Sequence, residues 1–523
     1  MPEKNSLYRS WLPKWAILVF LGIAILPHLL LMTIFNANTS FTASYLDIEQ
    51  NDIQYLFLLM YGMIVATLLV NKRFFMYFNI KNYLLIMTSI SIVLLLLMSI
   101  TKNVPLLMVL RFFQGGFAML EGAIFIPLIM KVINNKYAQF ITYTFLYFGM
   151  NAGAVLSNVV LKPIVENFGH QDIFLVIGYL HIIVLIIVFI IFNNHQRIFP
   201  KYPLYQLNLT SVFTLFLATA AGAYVFCYGQ KLYWFESPKI VIATITCLLF
   251  SALFIFYQYY GNRPVFDYRV LLSKKLWIGM GLFVIFYFSK MSINTVIQFI
   301  GSSLKWPWQN VIAIQYWQVY GFFFGGILAV FFLIKKVRFP YIFILGFLTL
   351  SVSYFIFKNT FYFDVPVGSF RLPFFLYGTG VSVLMSPLVM YMINYVHPNL
   401  SSNAAIMGTT TRYWTLGMSY AILINFNWLH IGEIQQQLQS KFRLDNPLFE
   451  GQWNALLNQY LASNTPDKAY QLAAQTFHKR VLNQATILAS IDFVSICAYL
   501  TLGISILMLI YLGVDKWRIN TSN

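Results

Sequence analysis

Apolar stretches too long for anything but a bilayer to solvate divide this chain from end to end. Runs of 18 or more mainly apolar residues lie near 15–40, 53–71, 82–100, 105–130, 138–162, 172–193, 208–228, 238–257, 275–300, 312–334, 339–357, 370–396, 402–428 and 488–512. About 20 such residues carry a helix across the hydrocarbon core, so fourteen transmembrane helices are expected. Composition agrees: 59% of the 523 residues are hydrophobic and 10% charged, against about 25% charged in soluble domains. The mean hydropathy is +0.70. A soluble core could not hide that surface, whereas lipid accepts it once every backbone polar group is bonded within a helix.

The first run, Trp15–Phe35, follows Lys4, Arg9 and Lys14 and so imitates a secretory signal. It exceeds a usual signal core and lacks a small-x-small cleavage site, so a retained first helix is expected.

The formal net charge of +18 raises the question of nucleic acid, and the distribution of charge answers it. Lys and Arg fall in short connections rather than in a stripe or tail, which fits membrane topology better than phosphate binding. With the N-terminus inside, 19 of the 34 basic residues lie in inner segments and 12 in outer ones, five of those in one long loop. The inner acids are Glu3, Asp267 and Asp515, while the first outer loop alone carries Asp47, Glu49 and Asp52. Both chain ends are therefore expected in the cytoplasm.

Cys227, Cys247 and Cys497 lie inside apolar runs without metal-ligand spacing, so neither a disulfide framework nor a zinc site is expected. The seven histidines show no HExxH or similar spacing, and no phosphate-binding glycine loop appears. No cofactor or metal is indicated, and no cluster at one membrane face points to an enzyme.

A weak internal repeat organises the spans. Pro127–Asn134 (PLIMKVIN) recurs as Pro387–Asn394 (PLVMYMIN), at the ends of spans four and twelve. Thr142 precedes Gly149-Met150 in span five as Thr410 precedes Gly417-Met418 in span thirteen. Two six-helix bundles are expected, residues 1–200 and 263–523, with two inserted helices in 201–262. Repeats of this kind characterise secondary transporters. The one long connection, 429–487, is an outer loop with helical stretches expected at Ile431–Phe442 and Asp467–Gln484.

Chemistry in a bilayer belongs to polar residues inside spans, since an ionisable group at mid-helix costs about 2.5–3.5 kcal/mol on insertion scales. Five qualify: Arg111, Glu121, Lys290, Arg412 and Asp492. Arg111 and Glu121 are ten residues apart, about 15 Å along the helix and roughly 80° around it, too far to pair directly. Glu121 is the candidate proton site; the alternative is a permanent ion pair with Lys290 or Arg412. Lys290 either lines a cavity or snorkels to the outer surface. Asp492 reads as an interfacial helix-start acid. Aromatic pairs such as Tyr316-Trp317 and Tyr413-Trp414 suit either stacking on a ligand or packing.

Span four reads Arg111-Phe-Phe-Gln114-Gly115, which resembles the R-x-x-Q-G signature of major facilitator superfamily transporters, especially proton-coupled drug exporters. Arg412, Gly417 and Ser419 look like the R-x-x-G-x-S region of the fourteen-helix drug:proton antiporter family. Gln484-Ala485 with Asp492-Phe493 resembles that family's entry into its last helix. The chain departs from the family where Asn36 replaces the first-helix acid and where Asn71–Asn79 lacks the expected Gly and Asp. In span five the antiporter motif is reduced to Gly149 and Gly153, with Ala154 in place of Pro.

The resemblance implies an all-α major facilitator fold with fourteen transmembrane helices. It also implies a proton-coupled exporter of small amphipathic compounds in a bacterial inner membrane, with a periplasmic adaptor protein at loop 429–487. The expected assignment is proton coupling by Glu121 and Arg111, and a substrate cavity bordered by Lys290, Arg412, Asn36, Gln114 and Tyr316. Two alternatives stay open: export of an anionic lipid, siderophore or metabolite, and a non-transporting scaffold or sensor.

Overall fold

Each apolar run folds as the helix its length demands, because in lipid only a helix satisfies its own backbone. The computed structural model describes residues 7–35, 39–194, 196, 201, 204, 207–261, 264–442 and 447–521. Among the described residues the one strand-like contact is a bridge between Tyr8 and Phe192.

The first part of the chain forms α1 (Lys14–Thr33), the short α2 (Thr39–Leu46), α3 (Gln50–Tyr77), α4 (Ile80–Ile100), α5 (Val104–Gly122), α6 (Phe125–Ile133), α7 (Ala138–Asn167) and α8 (Asp172–Ile191). Then come α9 (Leu209–Tyr228) and α10 (Pro238–Tyr260). The rest comprises α11 (Lys274–Lys290), α12 (Ser292–Gln298), α13 (Trp308–Ile334), α14 (Phe339–Lys358), α15 (Arg371–Asn394), α16 (Ser401–Gln439), α17 (Pro447–Leu461) and α18 (Pro466–Thr521).

Among the described residues, thirteen helical segments are long and apolar enough to cross a membrane. The fourteenth, α16, is less apolar, carrying Arg412 beside three threonines, yet it packs on α3, α9, α11, α15 and α18.

Two expected spans are each interrupted where tyrosines of other helices take a helix carbonyl, and in span four Pro127 also lacks the N–H that would bond Ala123. In span four, α5 ends at Gly122 and α6 resumes at Phe125, where the Tyr83 hydroxyl takes the Leu120 carbonyl at 2.7 Å. In span nine, Tyr354 and Tyr377 donate to the carbonyls of Ser289 and Lys290, at 2.7 and 3.0 Å. There α11 gives way to α12 and a five-residue π turn, Phe299–Ser303. Carbonyls drawn out of the i to i−4 ladder are a recognised cause of such kinks.

The expected outer helices are continuous with their spans. Residues 401–446 and 467–521 contain no proline. Nothing therefore interrupts α16 through Gln439, or α18 from Pro466 into the last span, with α17 between them.

Close crossings hold the bundle together. A Cβ on Gly115, the glycine of the R-x-x-Q-G signature, would stand 2.3 Å from the Met60 carbonyl of α3. Gly325 is equally committed, with the Thr379 carbonyl of α15 2.4 Å from where its Cβ would be. Small residues at such crossings let helix backbones approach where no hydrophobic effect drives association.

The inserted helix α9 touches both α3 and α16: Tyr413 Oη donates to the Thr219 carbonyl at 2.6 Å, and Tyr228 donates to Asp52. Helix α7 likewise reaches across, with Thr144 to Ser386 at 2.8 Å and Asn158 to Gln315 at 3.1 Å.

Between α7 and α8, outside the spans, His170 is 6% exposed and lies against the rings of Phe35, Tyr45 and Phe174. Its Nε2 meets Thr42 Oγ1 of α2 at 3.0 Å. Burial pushes the imidazole down to about 4, below its ordinary value of about 6.5. The unfolded chain then binds the extra proton between those two values, so stability is complete above pH ~6.5 and falls as pH drops toward ~4. The loss approaches about 3 kcal/mol at the low end. Thermal unfolding in detergent at pH 7.5 and pH 5 should show a fall in midpoint that His170→Gln largely removes; parallel falls in both proteins would contradict this.

Candidate functional site

Glu121 lies near the end of α5 and is fully buried. A carboxylate there must be met by donors, because its desolvation is otherwise prohibitive. Helix α4 supplies two from positions three apart, and therefore on one face. Thr88 Oγ1 donates to Oε1 at 2.6 Å and Ser91 Oγ to Oε2 at 2.8 Å.

Two histidines complete the cluster. His28 of α1 brings Nε2 to 3.5 Å from Glu121 Oε1, and its ring meets His181 of α8 edge-on at 5.3 Å. His181 Nδ1 contacts the Ile177 carbonyl at 2.9 Å, so this nitrogen carries the proton and Nε2 presents a lone pair inside the cluster. Four helices, α1, α4, α5 and α8, thus converge around one carboxylate. The alternative pairing of Glu121 with Lys290 or Arg412 is not formed; its partners are His28, Thr88 and Ser91.

His28, Glu121 and His181 also have the donor composition of a divalent-metal site, with ligand atoms within 4.8 Å of one another. Metal bonds of about 2.0–2.1 Å draw ligands closer than that outer limit, so the cluster would have to contract around an ion.

A cavity of ≈ 240 Å³ separates α1, α3, α5–α6 and α7 from α11, α15 and α16. Its wall is mainly apolar, including Met32, Leu68, Ile126, Phe283 and Met392, with His28, Tyr143, Tyr147 and Arg412 as polar exceptions. His28 stands between this space and Glu121, touching both.

The cations are distributed differently. Arg111 is fully buried on α5; Nη1 donates to Gln114 Oε1 at 2.5 Å and to the Leu31 carbonyl at 3.4 Å. Its guanidinium lies 4.8 Å from the centre of the Phe35 ring. Arg111 and Gln114 therefore brace the end of α1 rather than reach Glu121. Arg412 donates through Nε to the Tyr61 hydroxyl and approaches Met150 Sδ at 3.7 Å. Lys290 Nζ donates to Asn151 Oδ1 at 2.5 Å. Asp492 pairs with His430 at 2.8 Å at the outer edge.

Of the residues expected around the cavity, the structure brings Arg412 and Lys290 together on α7. Arg412 alone of these lines the cavity; Lys290, Gln114 beside Arg111, and Tyr316, 39% exposed, lie off its wall. Asn36 lies outside the described residues. His28 and His181 are the additions. They are 153 positions apart in the chain, and the signal available was only that each sits inside an apolar span.

A hydrogen bond to a buried charged group contributes about 1.5–3 kcal/mol. Thr88→Val, which keeps the shape and removes the donor, should lower the thermal stability of purified protein by about that amount. An unchanged unfolding midpoint would show that Glu121 does not depend on α4.

A family model described as the Major Facilitator Superfamily matches residues 21–421. No curated protein matches the sequence. Among solved structures, the chain is similar to a bacterial homologue of the human drug peptide transporters PepT1 and PepT2. The two share 13% identity over 97% of this chain and 99% of that one, with a TM-score of 0.56. It is also similar to the POT family transporter PepTSo, at 14% identity over 91% and 96% of the two chains with a TM-score of 0.53. A third likeness is to the proton:xylose symporter XylE bound to 6-bromo-6-deoxy-D-glucose, at 11% identity over 91% and 94% with a TM-score of 0.52. At these identities the likeness bears on the fold alone.

Proposed function

This chain belongs to the major facilitator superfamily, and from that premise we propose that it is a proton-coupled secondary transporter exporting small amphipathic compounds. Residues 1–200 and 263–523 act as the two bundles that rock about the cavity, with 201–262 inserted between them. The chain ends lie in the cytoplasm of a bacterial cell, and segment 429–487 projects into the periplasm, where an adaptor protein docks. Efflux rests on the likeness of Arg111–Gly115 and Arg412–Ser419 to drug exporters. The solved neighbours include one named as a proton symporter, which supports coupling but not direction.

The observation that carries proton coupling is the setting of Glu121, a fully buried carboxylate with a histidine between it and the cavity. A proton arriving through the cavity meets His28 first and passes to Glu121, while His181 offers a second acceptor. Thr88 and Ser91 hold the ionised form; protonation discharges the group and changes what the cluster holds together. Arg111 acts by position, tying α5 to the end of α1. The driving force suffices: one charge crossing 100 mV is worth about 2.3 kcal/mol, more than a tenfold gradient at about 1.4 kcal/mol per decade.

The test is pH-driven transport of amphipathic dyes of either charge in proteoliposomes. Glu121→Gln should lower accumulation against a gradient by at least about tenfold while leaving downhill dye movement in place. Undiminished coupling in the variant would remove Glu121 from the mechanism.

A further inference from the structure

Two cations, the buried Arg412 and the half-buried Lys290, converge on a single turn of α7. Arg412 of α16 reaches Met150, and Lys290 at the end of α11 reaches the next residue, Asn151. Their remaining contacts are neutral as well: the Tyr61 hydroxyl and ring for Arg412, and the Tyr287 ring 5.5 Å from Lys290. Among the described residues neither has an ion-pair partner, and Glu121 is committed to His28, Thr88 and Ser91.

We propose that Lys290 and Arg412 bind the anionic group of an amphipathic organic acid, whose apolar body fills the cavity beside them. Like charges brought together in a low-dielectric interior repel, and neutral partners only solvate them. A ligand carboxylate supplies the missing countercharge. Lys290 has three N–H donors and Asn151 takes one, while the planar Arg412 fork suits a carboxylate. The apolar wall beyond Arg412, with Leu68 and Phe283, accepts a hydrocarbon or aromatic body. This deepens the transport reading and rests on it for the acid's passage across the membrane, though not for its binding.

Binding tests it without any gradient. Protein in nanodiscs is titrated calorimetrically with three probes sharing one naphthyl body: naphthaleneacetate, naphthaleneethanol and naphthylethylammonium. Wild type should bind the carboxylate about 10–100-fold tighter than the other two. Lys290→Gln should abolish that preference and Lys290→Arg should keep it, with both variants eluting as monodisperse protein. Glu121→Gln should also keep the preference, so a failure of proton coupling is distinguishable from a failure of this site. Tighter binding of laurate than of naphthaleneacetate supports the site with a fatty acid as cargo; the reverse supports it with a compact organic acid. Equal binding of the three naphthyl probes, tighter binding of the ammonium, or a carboxylate preference that survives Lys290→Gln would overturn the proposal and leave the two cations a packing role.

Discussion

A charge inside a bilayer persists only where the protein supplies what water would have supplied, and the interior of this chain is arranged around four such charges. Glu121 is answered by His28 of α1 and by Thr88 and Ser91 of α4, with His181 of α8 behind His28. Arg111 is answered by a glutamine, a carbonyl and a ring. Lys290 and Arg412 are answered by an amide, a thioether and phenols. Glu121 stands apart from the three cations, and Arg412 brings positive charge to the cavity wall. A mobile proton at the anion and a mobile acid at the cations are both consistent with that separation.

The same helices that hold these groups also cross most tightly. Gly115 lets α5 touch α3 close to Arg111 and Gln114, so the R-x-x-Q-G signature combines a packing residue with two bracing ones. The breaks after Gly122 and Lys290 lie one residue beyond Glu121 and at Lys290 itself. Carbonyls freed there are held by Tyr83, Tyr354 and Tyr377, and such interrupted helices occur where backbone borders a cavity.

Much of this was legible in the sequence and some was not, for identifiable reasons. Span length and apolarity reveal the crossings, since a bilayer imposes one length on all of them. Helix α16 was readable although it is less apolar, because residues 402–428 are long enough to span and carry a single charge, Arg412. Continuity of α16 and α18 past the membrane follows from the absence of proline. The break in span four is signalled by Pro127, which cannot bond the Ala123 carbonyl, whereas that in span nine was not legible, because Tyr354 and Tyr377 come from other helices. His28 and His181, 153 positions apart, show no ligand spacing in the sequence. Only folding brings α1 and α8 against α5, although a histidine within an apolar span is itself a signal. Tyr316 shows the converse: an aromatic pair in sequence says nothing of which side of a helix faces the cavity.

The central claim is that Glu121 takes up and gives up a proton within the intact bundle. Infrared difference spectroscopy on protein in lipid, cycled between high and low pH, reads this directly through the carbonyl stretch of a protonated carboxylic acid. The account predicts a band that appears on acidification, shifts on deuteration and vanishes in Glu121→Gln. A band that survives the substitution, or none in the wild type across the pH range of transport, would contradict it.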